Sequence, residues 1–70
     1  MTAQEARTAL FLVPDEMPVF VLKGSDPCAT TAILAWLDGA RARGVNEEKL
    51  DSALNVLGEI ARYQPKKLPD

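Results

Sequence analysis

A lysine, a glycine, a serine and an aspartate crowd into the segment KGSDP, residues 23–27. The exposed N–H groups of a helix start, together with Lys23 and Ser25, could hold an anionic group such as a phosphate. The same segment could instead simply begin a helix, with Asp26 as the capping acceptor and Pro27 in the first helical position. The carboxylate of Asp26 would occupy the positive end of the helix dipole, which favours the capping interpretation of this segment alone.

A second polar set lies far along the chain, in ARYQPKK. The short connection RGVN, residues 43–46, predicts that the helices on either side of it are antiparallel neighbours. The second helix would then return this set to the end that carries KGSDP. Because cations bind phosphate and an aromatic ring stacks on a nucleobase, we predict a ligand-binding site. Solvated charges at a helix end and on a tail would explain the same residues. The candidate ligand-binding residues are Lys23, Ser25, Arg62, Tyr63 and Lys66.

Two amphipathic helices are the clearest elements that could position this site. One apolar stripe at spacings of three and four predicts a helix over about 27–43, with Gly44 just after its end. A second stripe predicts a helix that Asn46 caps and that ends near Tyr63, because Pro65 cannot continue it. The two stripes consist of Ala29, Ala32, Ile33, Trp36, Leu37 and Ala40, and of Leu50, Ala53, Leu54, Leu57, Ile60 and Ala61.

The segment VFVLK, residues 19–23, predicts a β-strand, because β-branched and aromatic residues adjoin and a glycine follows. ALFLV, residues 9–13, suits a strand or a helix, and the residues before it include Thr2 and Glu5 at capping-box spacing. ALFLV and VFVLK could form a hairpin around PDEMP, or VFVLK could pair with its copy in another subunit. The predicted fold class is therefore α+β, with one short strand or a β-hairpin followed by an antiparallel two-helix hairpin in an obligate small homo-oligomer.

We divide the chain into an N-terminal arm of residues 1–17, either strand or helix, a strand–helix–helix core of residues 18–64, and a tail of residues 65–70 that we expect to fray. A chain of 70 residues buries only roughly 60% of its unfolded surface, and a single cysteine cannot form an intramolecular disulfide. Self-association is the remaining source of stability. Phe20 and Trp36 are the predicted interface residues.

The composition narrows the function. Hydrophobic residues make up 47% of the chain and charged residues 26%, which is typical of a folded protein. A net charge of −2 gives no general attraction for DNA or RNA, and the longest apolar run is too short to span a bilayer. Histidine is absent, so Cys28 has no general base beside it. We predict no catalytic residue, no metal site, no cofactor and a cytoplasmic location.

The stretch from about Pro18 to Tyr63 resembles a group of short phage and bacterial proteins. Their pattern is a strand like PVFVLK, a D-P-x-A helix start, a tryptophan, and A-x-x-x-G-V-x-x-x-K before a second helix. Here it reads PVFVLKGSDPCATTAILAW and then ARARGVNEEKL. The resemblance implies a compact, self-associating, non-enzymatic phage-type protein. Some small phage proteins counter host defence by sequestering cyclic nucleotide signals in oligomers, and others block a host protein directly.

Two functions therefore stay open. The first is a non-enzymatic homo-oligomer that sequesters an anionic cyclic nucleotide immune signal. The alternative is a protein-interaction module that inhibits a host defence protein by direct binding, using its remaining apolar surface and the Asp15–Glu16 turn. A purely structural subunit is a third, less specific hypothesis. None of them requires a nucleic acid polymer or a membrane, and a phage-encoded chain would act in the host cytoplasm.

Overall fold

Three α-helices make up the regular structure of residues 1–68. The computed structural model describes residues 1–68, in which α1 spans Ala3–Leu10, α2 spans Ala29–Ala42 and α3 spans Glu47–Arg62. The described residues contain no β-strand. The predicted α+β fold class, with its strand or β-hairpin, is therefore wrong, and the described chain is all-helical.

No strand forms at residues 19–23, and residues 9–13, which were a predicted pairing partner, are not extended. Residues 11–13 continue from α1 as a turn, in which the Leu12 N–H donates to the Ala9 carbonyl and the Val13 N–H donates to the Leu10 carbonyl. Residues 18–23 have no regular structure, and within residues 1–68 the N–H groups of residues 19–22 make no hydrogen bond. A strand needs a neighbouring backbone to form a ladder, and β-branched side chains alone do not supply one.

Helix α1 begins with a capping box, in which Thr2 and Glu5 exchange hydrogen bonds between side chain and backbone. The Thr2 side chain accepts a hydrogen bond from the Glu5 N–H, and the Glu5 carboxylate accepts from the Thr2 N–H at 3.1 Å. This confirms the capping box. The backbone N–H and then the hydroxyl of Thr2 hold the pKa of the exposed Glu5 below its ordinary value, because both bonds favour the carboxylate.

Helix α2 begins two residues later than the sequence predicts. Its N-cap is Cys28, which makes no side-chain capping bond. Asp26 instead stabilises the preceding turn, in which its Oδ1 accepts from the Cys28 N–H at 2.8 Å and its carbonyl accepts from the Ala29 N–H at 3.1 Å. The predicted role of Asp26 as the N-cap is therefore wrong, although its carboxylate still accepts a backbone hydrogen bond at the helix entrance.

The connection between α2 and α3 is formed as predicted. Gly44 has a φ of 78°, and the Val45 N–H donates to the Ala40 carbonyl at 3.0 Å, which completes a Schellman-type helix end. Asn46 then caps α3, because its Oδ1 accepts from the Lys49 N–H at 2.9 Å. Both end residues are confirmed, and they turn the chain back on itself within a few residues.

The core lies between α2 and α3. Leu37, Ala40 and Leu50 form its buried cluster, and Ile33, Val45, Ala53 and Leu57 pack against it. Helix α1 does not pack closely on either of the other helices, and none of its residues is buried. Its contact with α3 runs through the Met1 ammonium, which lies 3.0 Å from Oε1 of Glu59. No helix among residues 1–68 has the length and apolar character needed to cross a bilayer.

Candidate functional site

The loop before α2 meets the chain that leaves α3. The Nζ of Lys66 donates to the Gly24 carbonyl at 2.8 Å, and the Lys67 N–H donates to the Ser25 carbonyl at 2.8 Å. These bonds require the start of α2 to lie beside the end of α3, so the antiparallel arrangement is confirmed. The tail was predicted to fray, but residues 66 and 67 are held by these bonds, and residues 69 and 70 lie outside the described residues.

The ring of Tyr63 packs on the loop at Gly24. A Cβ placed on Gly24 would lie 3.4 Å from Cγ of Tyr63, so the ring approaches the loop backbone directly. Tyr63 is nevertheless 54% exposed. One part of the ring therefore supports the loop, and the remainder is available to stack against a planar ligand.

The ammonium of Lys66 is bound to backbone carbonyls of the protein itself. This half-buried ammonium donates to the carbonyls of both Gly24 and Ile60, which lie on different segments. The bond to Ile60 adds a second donor to a carbonyl that already accepts from the Tyr63 N–H at 3.2 Å, and the bond to Gly24 fixes the loop. An ammonium has three donors, so only one is left for another partner. The predicted ligand role of Lys66 stays a prediction.

Arg62 turns back along its own helix. A Cβ on Gly58 would lie 3.2 Å from Nη1 of Arg62. The guanidinium therefore lies directly over the backbone of Gly58. Arg62 is exposed and forms no ion pair with a residue among 1–68. It does not line the depression that contains the other candidate residues.

An open groove of about 740 Å³ separates α1 from residues 21–25 and from the second half of α3. Three of the five predicted ligand-binding residues line it, namely Lys23, Ser25 and Tyr63. We call this depression the α1–α3 groove. Its remaining lining residues are Met1, Thr2, Ala3, Ala6, Arg7, Leu10, Val21, Leu22, Gly24, Val56, Glu59 and Ile60.

The charges of the α1–α3 groove are unevenly paired. Glu59 is bound by the Met1 ammonium, whereas Arg7 and Lys23 form no ion pair with any described residue. Within residues 1–68 the lining therefore combines apolar side chains with two cations that form no ion pair. Sequence reasoning did not identify Arg7, because no pattern in the sequence indicates that α1 faces the end of α3. The Met1–Glu59 contact joins residues 58 positions apart.

A smaller depression of about 240 Å³ adjoins the α1–α3 groove. Val21, Lys23 and Ser25 line both, while Phe20 and Leu68 line only the smaller one. Phe20, a predicted interface residue, is 86% exposed. Trp36, the other predicted interface residue, is 44% exposed on α2 and lines neither depression.

The arrangement is suited to binding. A groove of this size accommodates a small molecule, and its lining combines apolar side chains with polar and charged ones. Within residues 1–68 no group of three histidine, cysteine, aspartate or glutamate side chains is placed to hold a metal ion. Comparison with known proteins found no matching family model, no matching curated protein and no matching solved structure.

Proposed function

We propose that the protein is a non-catalytic binding protein for a small anionic nucleotide, held in the α1–α3 groove. The observation that carries this proposal is that one groove is lined by a half-exposed aromatic ring, Tyr63, and by two cations, Lys23 and Arg7, that form no ion pair with any of residues 1–68. A nucleobase can stack on a tyrosine ring, and guanidinium and ammonium groups bind phosphate oxygens. Ser25 adds a hydroxyl to the lining of the same groove.

The groove changes the set of proposed ligand residues. Lys23, Ser25 and Tyr63 stay in the site, and Arg7 joins them. Arg62 and Lys66 do not line the groove, and Lys66 already holds two carbonyls. We therefore assign Lys66 a positioning role, since it fixes the loop that carries Lys23 and Ser25.

The proposed role is sequestration of the ligand without turnover, which is one of the two roles that the resemblance to small phage proteins suggests. A cyclic dinucleotide or trinucleotide offers both bases and phosphates to such a groove. The apolar residues that line the groove, including Val56 and Ile60, would contact the sugar and base faces of the ligand.

Calorimetric titration of the pure protein with a panel of cyclic di- and trinucleotides tests the proposal. Lys23→Ala and Arg7→Ala should each weaken binding about tenfold or more, because each removes a charge-assisted contact. Tyr63→Phe should preserve stacking, and Tyr63→Leu should lower affinity by about 1–3 kcal/mol. Lys49→Ala is the matched control, since Lys49 lies in the first turn of α3, away from the groove.

Two results would contradict this function. The first is an absence of both binding heat and thermal shift with every nucleotide in the panel. The second is binding that Lys49→Ala weakens as much as Lys23→Ala does, because a general charge effect would then replace a site.

Direct binding of another protein is the second candidate. The observation that favours it is the exposed turn between two apolar segments, in which Asp15 and Glu16 project and the Met17 N–H donates to the Pro14 carbonyl at 3.0 Å. Such a loop could present acidic and apolar side chains together. A stoichiometric complex with one host protein, lost in an Asp15→Ala and Glu16→Ala variant and carrying no nucleotide, would favour this function over the first.

A further inference from the structure

Helix α1 turns one face toward the α1–α3 groove. The residues of α1 that line the groove are Ala3, Ala6, Arg7 and Leu10. Their spacings of three and four place them on the same side of a helix, which we call the α1 face. Within Ala3–Leu10, Ala6 is the only residue that is not exposed. The groove therefore lies against a defined side of α1.

Helix α3 presents a face of the same kind on the other side of the groove. Val56, Glu59 and Ile60 of α3 line the groove, together with Tyr63 just after the end of the helix. They repeat the spacing of the α1 face, and we call them the α3 face. Val56 and Ile60 are half-buried and lie outside the core cluster between α2 and α3. Two helical faces that carry apolar side chains are thus opposed across the groove.

The two faces are not packed on each other. No Cα atom of α1 lies within 8 Å of a Cα atom of α3. Packed helices have axes about 8–10 Å apart and carry their Cα atoms at a radius of about 2.3 Å, which brings some Cα atoms closer than that. Leu10 of the α1 face accordingly stays 42% exposed. The structure therefore shows the groove in an open position.

The connections of α1 to the rest of the chain are few. Within residues 1–68, residues 14–22 form a single hydrogen bond, from the Met17 N–H to the Pro14 carbonyl at 3.0 Å. The ion pair between the Met1 ammonium and Glu59 joins two exposed groups, and exposed ion pairs add little stability. Segments with little burial and few backbone hydrogen bonds move at a low cost in free energy. These contacts therefore leave α1 able to change its position.

We infer that α1 is a lid, which moves between this open position and a closed position in which the α1 face packs on the α3 face. Closure removes apolar side chains from water, and the alanines at positions 3 and 6 allow a close approach of the two helices. The closed lid fills the groove, so a ligand enters only when α1 is open. The lid goes beyond the proposed nucleotide site, because both positions can be measured with no ligand present.

Double electron–electron resonance between two spin labels on the full chain tests the lid. Gln4→Cys and Asn55→Cys supply the labelling sites in a Cys28→Ser background, since both positions are exposed and neither lines the groove. Without ligand, the distance distribution should contain two components, one at the open distance of this structure and one that is shorter. An excess of unlabelled protein removes distances between labels on different molecules.

Ala6→Gln and Ala9→Gln in the labelled chain form a matched pair. They make the same exchange in the same helix, but only Ala6 lines the groove. Ala6→Gln should lower the ratio of the closed to the open component about fivefold or more, because the closed position then buries an amide without a partner. Ala9→Gln should leave this ratio unchanged. Far-ultraviolet circular dichroism should show the same helix content in both variants.

Three results would overturn the inference. One is a distribution with no component shorter than the open distance. Another is a single short component, since a lid must also open. The third is a ratio that Ala6→Gln and Ala9→Gln lower equally. If Ala6→Gln unfolds α1, the components of the labelled chain without this substitution decide. Because no nucleotide is present, these distances stay informative even if the nucleotide panel shows no binding.

Discussion

Apolar side chains are buried in the helical hairpin of residues 29–62 and exposed in the N-terminal region of residues 1–23, as one leucine from each shows. In the hairpin, Leu37 is 1% exposed and packs with Ala40 and Leu50. In the N-terminal region, Leu12 is 86% exposed. Both segments are rich in leucine, valine and alanine. Burial therefore depends on whether the chain places a second apolar face at packing distance, and only the hairpin does so.

The backbone shows the same contrast. In the hairpin, Gly44 and Asn46 satisfy groups that the helix ends leave unpaired. In the N-terminal region, the N–H groups of residues 19–22 make no hydrogen bond within residues 1–68. An exposed segment of this kind can be satisfied by water or by another chain. The hairpin thus contains the buried core of the described residues, whereas residues 19–22 leave their N–H groups without a partner in residues 1–68.

Two leucine-to-alanine substitutions should give the largest difference between the regions. Leu37→Ala should lower the free energy of unfolding by about 2–5 kcal/mol, because it removes the largest buried side chain of the core. Leu12→Ala is the matched control and should change it by no more than about 0.5 kcal/mol in the monomer. Urea unfolding followed by circular dichroism, at concentrations where the chain is monomeric, measures both.

Equal losses of stability would break the comparison. Such a result would show that Leu12 is buried in solution by the chain itself. A loss for Leu12→Ala that appears only at high concentration would instead sharpen the comparison, because it would show that another molecule, and not the chain itself, covers Leu12.

The sequence predicts the hairpin well because its signals are local and agree with one another. Apolar spacing of three and four indicates both helices, Gly44 favours a left-handed helix end and Asn46 favours a cap. The short connection between them then requires an antiparallel pair. That geometry alone predicted that Ser25 and Tyr63 would lie at the same end of the molecule, where both line the α1–α3 groove.

The N-terminal half was predicted poorly because its structure depends on contacts that a local pattern does not specify. VFVLK has a strand's composition, but a strand forms only beside another extended segment, and residues 9–13 end a helix instead. Arg7 reaches the groove through the placement of α1. Lys66 binds two carbonyls because of the path that the chain takes after α3, which no local pattern indicates.

Two glycines of the hairpin should respond in opposite directions to the same change. Gly44→Ala should lower the free energy of unfolding by about 1–2 kcal/mol, because an L-residue is strained at its φ of 78°. Gly39→Ala should raise it by about 0.5–1 kcal/mol, since Gly39 lies inside α2. A Cβ there meets only the guanidinium of Arg43, at 3.3 Å, and that exposed side chain can move. Thermal unfolding measures both.

A stabilising Gly44→Ala substitution would show that the helix end adopts another conformation in solution. A destabilising Gly39→Ala substitution would show that the bond from Arg43 to the Gly39 carbonyl at 3.2 Å matters more than helix propensity.

The smallest expected effect is the pH response of α1. The pKa of Glu5 lies below its ordinary value of 4.5, because the folded carboxylate accepts hydrogen bonds from Thr2. A lowered pKa means that the stabilisation is complete above pH 4.5 and is lost as the pH falls through the lowered value. NMR titration of the Glu5 carboxyl carbon and the Thr2 amide should therefore show α1 fraying in acid while α2 and α3 persist.

Glu5→Gln provides the control for this titration. Glutamine can occupy the same capping position but does not ionise, so the Thr2 amide should lose its response to acid and keep its hydrogen bond. A Glu5 pKa at or above 4.5 in the wild type would mean that the capping box does not form in solution. Because α1 has eight residues and no buried side chain, it would then have no local support.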